Sequence, residues 1–524
     1  MGLLKALAVS SFLFVSSLAA SASDWHSRSI YQLVTDRFAL TDGSGPACNT
    51  EDRKYCGGTY RGIMNHLDYI QNMGFDAIWV SPVVSTFEGS SAYGEGYHGY
   101  WPQDLYSLNS HFGTGEDLKA LAGALHKRNM YLMVDVVVNH LASKDFPPPF
   151  SSFNPFNRES DFHPRCLITD YNNQTQVEQC WLGDDKVALI DVNTEKDEII
   201  NTYNNWIKTL VGNYSVDGIR IDTVKHIRKD FWPNFASSSG VYTIGEVLHN
   251  ETDYVAGYTH VLDAVLDYPT WFPLVAGFQT QFGNLSSLAR VITTSQSAYK
   301  NGLFGTASFL ENHDQPRFPS LTNDTARLRN AITFPFVHDG IPIVYYGQEQ
   351  GYAGGPDPAN REALWFSGYV QDKDLVKHIK TLNGARKAAI TANSQFLSTA
   401  VRPATGHFPD LLETTLAVSK PPMLALFTNV GSSGTASWKV PKSGHSGNTQ
   451  LIDVLSCTIL TTNSDGGLTT NTTNGLPRVY LPVSALSASN KICINNLSTG
   501  NSAPGGAMPS LMLVGLASFV SLLM

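Results

Sequence analysis

Between residues 29 and 350, short runs of β-branched and aromatic residues recur at 30–34, 77–80, 131–138, 218–222, 241–247, 304–310 and 341–346, with helix-sized segments between them. Such runs suit strands buried on both faces, and spacers of that length suit parallel strands joined by crossover helices. No glycine-rich phosphate loop follows an early strand, which disfavours an open doubly wound sheet. The pattern therefore predicts an α/β fold, a (β/α)8 TIM barrel. The rhythm breaks at 141–189, where Pro147, Pro148 and Pro149 stand in a stretch of little periodicity. That is long for a plain loop, and an inserted subdomain after strand 3 is expected. Beyond about residue 395, strand-like runs separated by Gly, Ser and Asn predict a C-terminal antiparallel β-sandwich of about one hundred residues. The expected division is a barrel over 23–395, the insertion at 141–189, and a sandwich over 396–496.

Both ends read as targeting segments. Lys5 precedes an apolar run at 6–19 and then Ala20, Ser21 and Ala22, the pattern of a secretory signal peptide over 1–22. Over 497–524, small and polar residues lead through Pro509 into an apolar run that no basic residue follows, as in a GPI-attachment signal with its site near Asn501. A spanning helix would need about 20 apolar residues. The expected location is therefore outside the cell, held to the membrane or wall through a lipid.

Export agrees with the six cysteines, which fall into Cys48/Cys56, Cys166/Cys180 and Cys457/Cys493, three expected disulfides. Glycosylation sequons at Asn173, Asn213, Asn250, Asn284, Asn323, Asn471 and Asn496 agree with it too. The 524 residues carry 36 basic against 45 acidic side chains, a formal net charge of −9. A nucleic-acid partner would demand a basic field that this chain lacks. With 11% aromatic residues, a neutral sugar polymer held by hydrogen bonds and ring contacts fits better. A monomer is expected.

Four segments place polar residues at the end of an apolar run: Asp135 with Asn139 and His140; Arg220 with Asp222, Lys225 and His226; Gly245 with Glu246; and Asn312 with His313 and Asp314. In a barrel, that end of the strands is where the active site is built. Arg220 and Asp222 are two apart and so face the same side of their strand, where the cation favours the ionised carboxylate that a nucleophile needs.

In order and spacing these segments resemble the signature regions of the α-amylase family of glycoside hydrolases, and residues 24–493 resemble the fungal secreted α-amylases of the Taka-amylase type. The resemblance implies Asp222 as nucleophile, Glu246 as general acid/base and Asp314 as transition-state stabiliser in a retaining double displacement. It implies sugar contacts from His98, Tyr100, Trp101, His140, Arg220, Lys225, His313, Asp357 and Arg361; Asp357 and Arg361 could instead pair with each other. It also implies a calcium ion between barrel and insertion, held by the side chains of Asn139 and Asp191 and the backbone oxygens of Glu178 and His226, an all-oxygen set suited to a hard cation.

Two departures stand out. No cysteine lies between Cys180 and Cys457, where the fungal relatives often carry a further disulfide. After the acid/base come Leu248, His249, Asn250 and Glu251 in place of the usual Leu-Asp-Gly-Asp, which alters the side where water or an acceptor sugar enters. Endo-hydrolysis of α-1,4-glucan is the expected activity, with some transfer to sugar acceptors. A 4-α-glucanotransferase of the GPI-anchored fungal branch and a noncatalytic glucan-binding barrel are the alternatives, and the retained His140 and His313 favour the hydrolase.

Overall fold

The computed structural model describes residues 20–405, 414–486 and 492–493. Residues 1–19 of the expected signal and all of the expected anchor lie outside the described residues. Eight parallel strands pair in chain order: β1 (Ile30–Leu33), β2 (Ala77–Val80), β3 (Tyr131–Val136), β4 (Gly218–Ile221), β5 (Tyr242–Gly245), β6 (Ala264–Val265), β7 (Ala307–Phe309) and β8 (Ile341–Tyr345). β8 pairs with β1, and a parallel bridge between Leu266 and Ala307 joins the β6 end to β7, so the sheet closes into a barrel.

Seven of these strands fall within the sequence runs. The eighth, β6, is two residues long and follows Asp263, so it offers no apolar run to detect. Crossover helices carry local start signals, as at Gly115–His126, where the Thr114 hydroxyl accepts from Asp117 N at 3.2 Å while the Asp117 carboxylate accepts from Thr114 N at 2.9 Å.

The insertion after β3 is built on a three-stranded antiparallel sheet, His140–Ser143, Ala188–Asp191 and Leu182–Gly183, with His140 opposite Asp191 at its base. The Cys166–Cys180 disulfide closes this unit, Cys48–Cys56 ties a loop after β1, and Cys457–Cys493 ties the C-terminal domain. That domain is a sandwich of unequal layers. Six antiparallel strands run in the order Arg402–Thr405, Thr415–Lys420, Met423–Thr428, Arg478–Pro482, Gln450–Asp453 and Ile459–Thr461, and the pair Ala436–Val440 and Leu468–Thr472 packs over them around Leu426, Trp438 and Leu451. Among the described residues no helix is long and apolar enough to cross a membrane.

The sandwich is joined to the barrel by rings and by charge. Phe427 packs on Phe278 and Phe334. Lys420, 1% exposed, forms an ion pair with buried Asp339 and donates to Thr399 O at 2.9 Å, while Asp339 accepts from Val401 N at 2.9 and 3.0 Å. Breaking a buried pair by removing one partner costs about 3–5 kcal/mol, because the other charge stays in the interior. Lys420→Met should therefore lower the melting temperature clearly by calorimetry, and adding Asp339→Asn to it should recover part of the loss; an unchanged melt would remove the pair from the interface.

Candidate active site

Arg220, on β4 and 1% exposed, is the residue around which the strand-end acids gather. Its Nη1 donates to Asp222 Oδ1 at 2.8 Å and to the two Asp135 oxygens at 2.9 and 3.2 Å, and its Nη2 lies 3.1 Å from Glu246 Oε2. The ladder explains this convergence, since Arg220 is in register with Asp135 on β3 and with Ile244 on β5, two residues before Glu246. Thr223 N also donates to Glu246 Oε2, at 3.0 Å. One oxygen of each acid is thus held: Oδ1 of Asp222 by Arg220, and Oε2 of Glu246 by Thr223 N and Arg220. Burial pushes the Glu246 carboxyl up to about 7; Arg220 opposes the shift, and the nearby Asp222 and Asp314 charges reinforce it.

Asp314 stands at the open side, with a side chain 36% exposed, its oxygens 3.2 Å from His313 Nε2 and 3.6 Å from Arg361 Nη2. Asn312 folds the chain beneath it, accepting from Asp314 N and Gln315 N at 3.0 and 2.9 Å. Arg361 is buried, donates to His313 O at 3.0 Å and pairs with Asp357 at 3.0 Å. Asp357 also takes Arg53 at 2.8 Å. Both residues reach the site, and their mutual pairing, left open by the sequence, is present.

The histidines line one wall. Tyr100 stacks on His313 with centroids 4.8 Å apart and on His98 at 5.8 Å, and Trp101 meets His98 edge-on at 4.5 Å while stacking on Phe87. His98 Nδ1 accepts from Tyr100 N at 3.0 Å and His313 Nδ1 accepts from Gln32 Nε2 at 2.9 Å, which leaves the ring proton on Nε2 in each. His140 Nε2 donates to Tyr100 O at 3.2 Å. Burial, joined by Arg361 near His98 and by Arg220 near His313, pushes these two rings well below the usual histidine range, and burial lowers His140. His98 and His313 thus keep an Nε2–H free to donate, whereas the Nε2–H of His140 is spent on Tyr100 O.

On the other side of Glu246 lies a cavity of about 250 Å³ lined by Tyr171, Leu182, Thr223, Lys225, His226 and Leu248. Lys225 donates to Leu248 O at 2.9 Å and sits over the Tyr171 ring. His249 stacks on Tyr254 at 4.2 Å, and its Nδ1 accepts from Glu251 N, so one of its faces is already used.

The expected metal ligands also meet. One end of the Asn139 amide lies 2.9 Å from His226 O and 2.9 Å from Asp191 Oδ1, and as placed that end is oxygen facing two oxygens. His226 Nδ1 binds Val177 O at 3.0 Å, which brings the Glu178 backbone alongside. With the Asn139 amide nitrogen at that end it would donate to both oxygens; with the amide oxygen there, the three oxygens fit a hard cation. Among the described residues no group of three or more His, Cys, Asp or Glu side chains could hold a metal; the Asn139 set has a single carboxylate, the rest being amide and backbone oxygen.

Several contributors were not singled out from sequence. Asp135 is the foremost: besides Arg220 it accepts from Trp79 Nε1 at 3.0 Å and from Tyr100 OH at 2.7 Å. Its place at the head of a motif was the available signal. Gln32, a polar residue inside an apolar run, offered another, whereas Arg53 lies in no motif and carried none.

A closed barrel with convergent carboxylates, neutral histidines and stacked aromatic rings at its strand ends defines the class as a glycoside hydrolase. Residues 32–396 match the family described as "Alpha amylase, catalytic domain" and residues 412–501 that described as "Alpha-amylase, domain C". The chain belongs to the α-amylase family. It is 46% identical to alpha-amylase 2 of Schwanniomyces occidentalis over 94% of this chain and 97% of that one, and 43% identical to the alpha-amylase of Saccharomycopsis fibuligera over 88% and 92%. A solved structure of an alpha-amylase from Malbranchea cinnamomea superposes with a TM-score of 0.87 at 44% identity, covering 90% of this chain and all of that one.

Asp135→Ala would orphan Trp79 Nε1 and Tyr100 OH and leave Arg220 with one buried partner fewer, each a cost of about 1–3 kcal/mol or more. The expected result is a lower melting temperature together with loss of most glucan-cleaving activity. A variant with the wild-type melt and wild-type rate would remove Asp135 from the organising role.

Proposed function

We propose that the chain cleaves internal α-1,4-glucosidic bonds of starch-type glucans by a retaining double displacement, with Asp222 as nucleophile, Glu246 as general acid/base and Asp314 as transition-state stabiliser. The observation that carries the reading is the single Arg220 guanidinium touching both Asp222 and Glu246. A shared cation favours the short carboxylate separation of a retaining pair, about 5–5.5 Å, over the roughly 6.5–9.5 Å that leaves room for water in an inverting one. The free Oδ2 of Asp222 attacks C1 while the proton on Oε1 of Glu246 passes to the departing glycosidic oxygen. Water then enters on the Leu248 side, Glu246 removes its proton, and the glycosyl–Asp222 bond is broken with retention. Asp314 and the Nε2–H groups of His98 and His313 hold the ring between the acids, Trp101 offers it an apolar face, and Lys225 with Tyr171 receives the leaving chain.

Asn139, Asp191, His226 and Glu178 are the residues that would hold calcium, which would supply a charge bracing the insertion against the strand end that carries Asp222. Export and lipid anchoring are part of the same proposal; they rest on the two terminal segments, and secretion also on the likeness to fungal alpha-amylases.

Asp222→Asn and Glu246→Gln should each lower starch turnover by about 10⁴-fold or more without moving the melting curve much. Near wild-type rates in either would overturn the assignment. Because Glu246 must begin protonated, and burial sets its carboxyl at about 7, kcat/KM should fall about tenfold per pH unit above that value. A flat profile to pH 9 would reject Glu246 as the acid. Excess chelator should lower the melting temperature, since an ion bound only by the folded state stabilises it; an unchanged melt with no metal found in the purified protein would remove the calcium site.

A further inference from the structure

Phe282 is 85% exposed, more than any other large apolar side chain among the described residues. Its exposure is built in rather than a frayed end. Buried Asn429 donates to Gly277 O at 2.8 Å and to Gly283 O at 2.7 Å, pinning the turn, and a Cβ on Gly283 would lie 2.3 Å from Gly277 O, so the backbone there is in close contact. The ring borders a groove of about 620 Å³ whose lining includes Gln281, Leu321, Asn323 and Arg327. That volume lies within the about 300–1,000 Å³ typical of small-ligand sites. Leu321, 40% exposed, borders the same groove, so two apolar side chains stand together on one concave face that a partly apolar ligand can cover.

The cover is encoded next to it. Asn323, Asp324 and Thr325 form an N-glycosylation sequon, and Asn323 lines the groove, exposed and without a hydrogen bond among the described residues. Its flanks are fixed. Thr322 Oγ1 accepts from Arg327 Nε and Nη2 at 3.3 and 3.2 Å, and Asp324 caps helix Thr325–Val337 while holding Ser432 N at 2.8 Å. The neighbouring sequon residue Asn284 instead spends its side-chain oxygen on capping helix Leu285–Ala298 and does not line the groove.

We propose that Asn323 carries an N-linked glycan whose first sugar rings lie in this groove, with the C–H face of an N-acetylglucosamine against Phe282 and its polar groups toward Gln281 and Arg327. In the modification, the Asn323 amide nitrogen forms a bond to C1 of the sugar and loses a proton. The C1–oxygen bond to a polyprenyl diphosphate carrier breaks, and the diphosphate leaves with that electron pair. A pyranose ring on an aromatic face fits because its axial C–H groups meet the electron-rich face of the ring. The inference requires export through the secretory pathway and is independent of the glucan chemistry proposed above.

The test uses the full chain secreted from a yeast host. Glycopeptide mass spectrometry should find Asn323 occupied. Asn323→Gln should raise the fluorescence of a hydrophobic dye severalfold, and Phe282→Ala added to it should abolish that rise. Phe282→Ala alone should lower the melting temperature of the glycosylated protein and leave that of Asn323→Gln unchanged. An unoccupied Asn323 would overturn the proposal, as would an occupied Asn323 whose removal leaves dye binding unaltered. So would uncovering of Phe282 by Asn284→Gln in place of Asn323→Gln, or binding of maltoheptaose to the wild-type protein that Phe282→Ala abolishes while turnover persists.

Discussion

A buried guanidinium with three carboxylates within reach is the constraint on which this molecule depends. Arg220 sits inside a closed barrel where an unpaired charge would be strongly unfavourable, so the ends of β3, β4 and β5 must bring Asp135, Asp222 and Glu246 to it. Asp135 is wholly enclosed and saturated by donors, which makes it the structural partner. Asp222 and Glu246 each keep one oxygen for the cleft. One cation therefore neutralises the interior and aims two acids at a common point above it.

The wall of the cleft follows the same logic of committed and free atoms. The Nδ1 atoms of His98 and His313 are filled by Tyr100 N and Gln32, so each ring presents Nε2–H. Tyr100 is the hinge of this arrangement: its hydroxyl is on Asp135, its ring is between His98 and His313, and its carbonyl is on His140. The wall thereby presents neutral donors and aromatic rings, which suits the uncharged glucan proposed as substrate.

The insertion is coupled to this centre through backbone. Its sheet begins at His140 and ends at Asp191, and the Asn139 amide meets Asp191 Oδ1 and His226 O there, each at 2.9 Å. Asp191 turns its other oxygen to His163, which also binds Glu195 at 2.5 Å, so the carboxylate beside the proposed ion is itself anchored within the protein. Stability of the insertion and placement of the proposed nucleophile, Asp222, are in this way the same problem.

The sequence by itself determined the barrel, the insertion, the sandwich, the cysteine pairs and the acids at the strand ends, because each depends on local period, length or spacing. It missed β6, whose two residues have no period, and it left Asp135 without a role. Which acid shares Arg220, which nitrogen of each histidine bears the proton, that Arg53 meets Asp357 across 304 residues, and that His249 has spent one face on Tyr254 were decided only by the tertiary structure. Those facts follow from how eight strands are staggered when a sheet closes on itself, and stagger is set by contacts between segments far apart in the chain rather than by any segment alone.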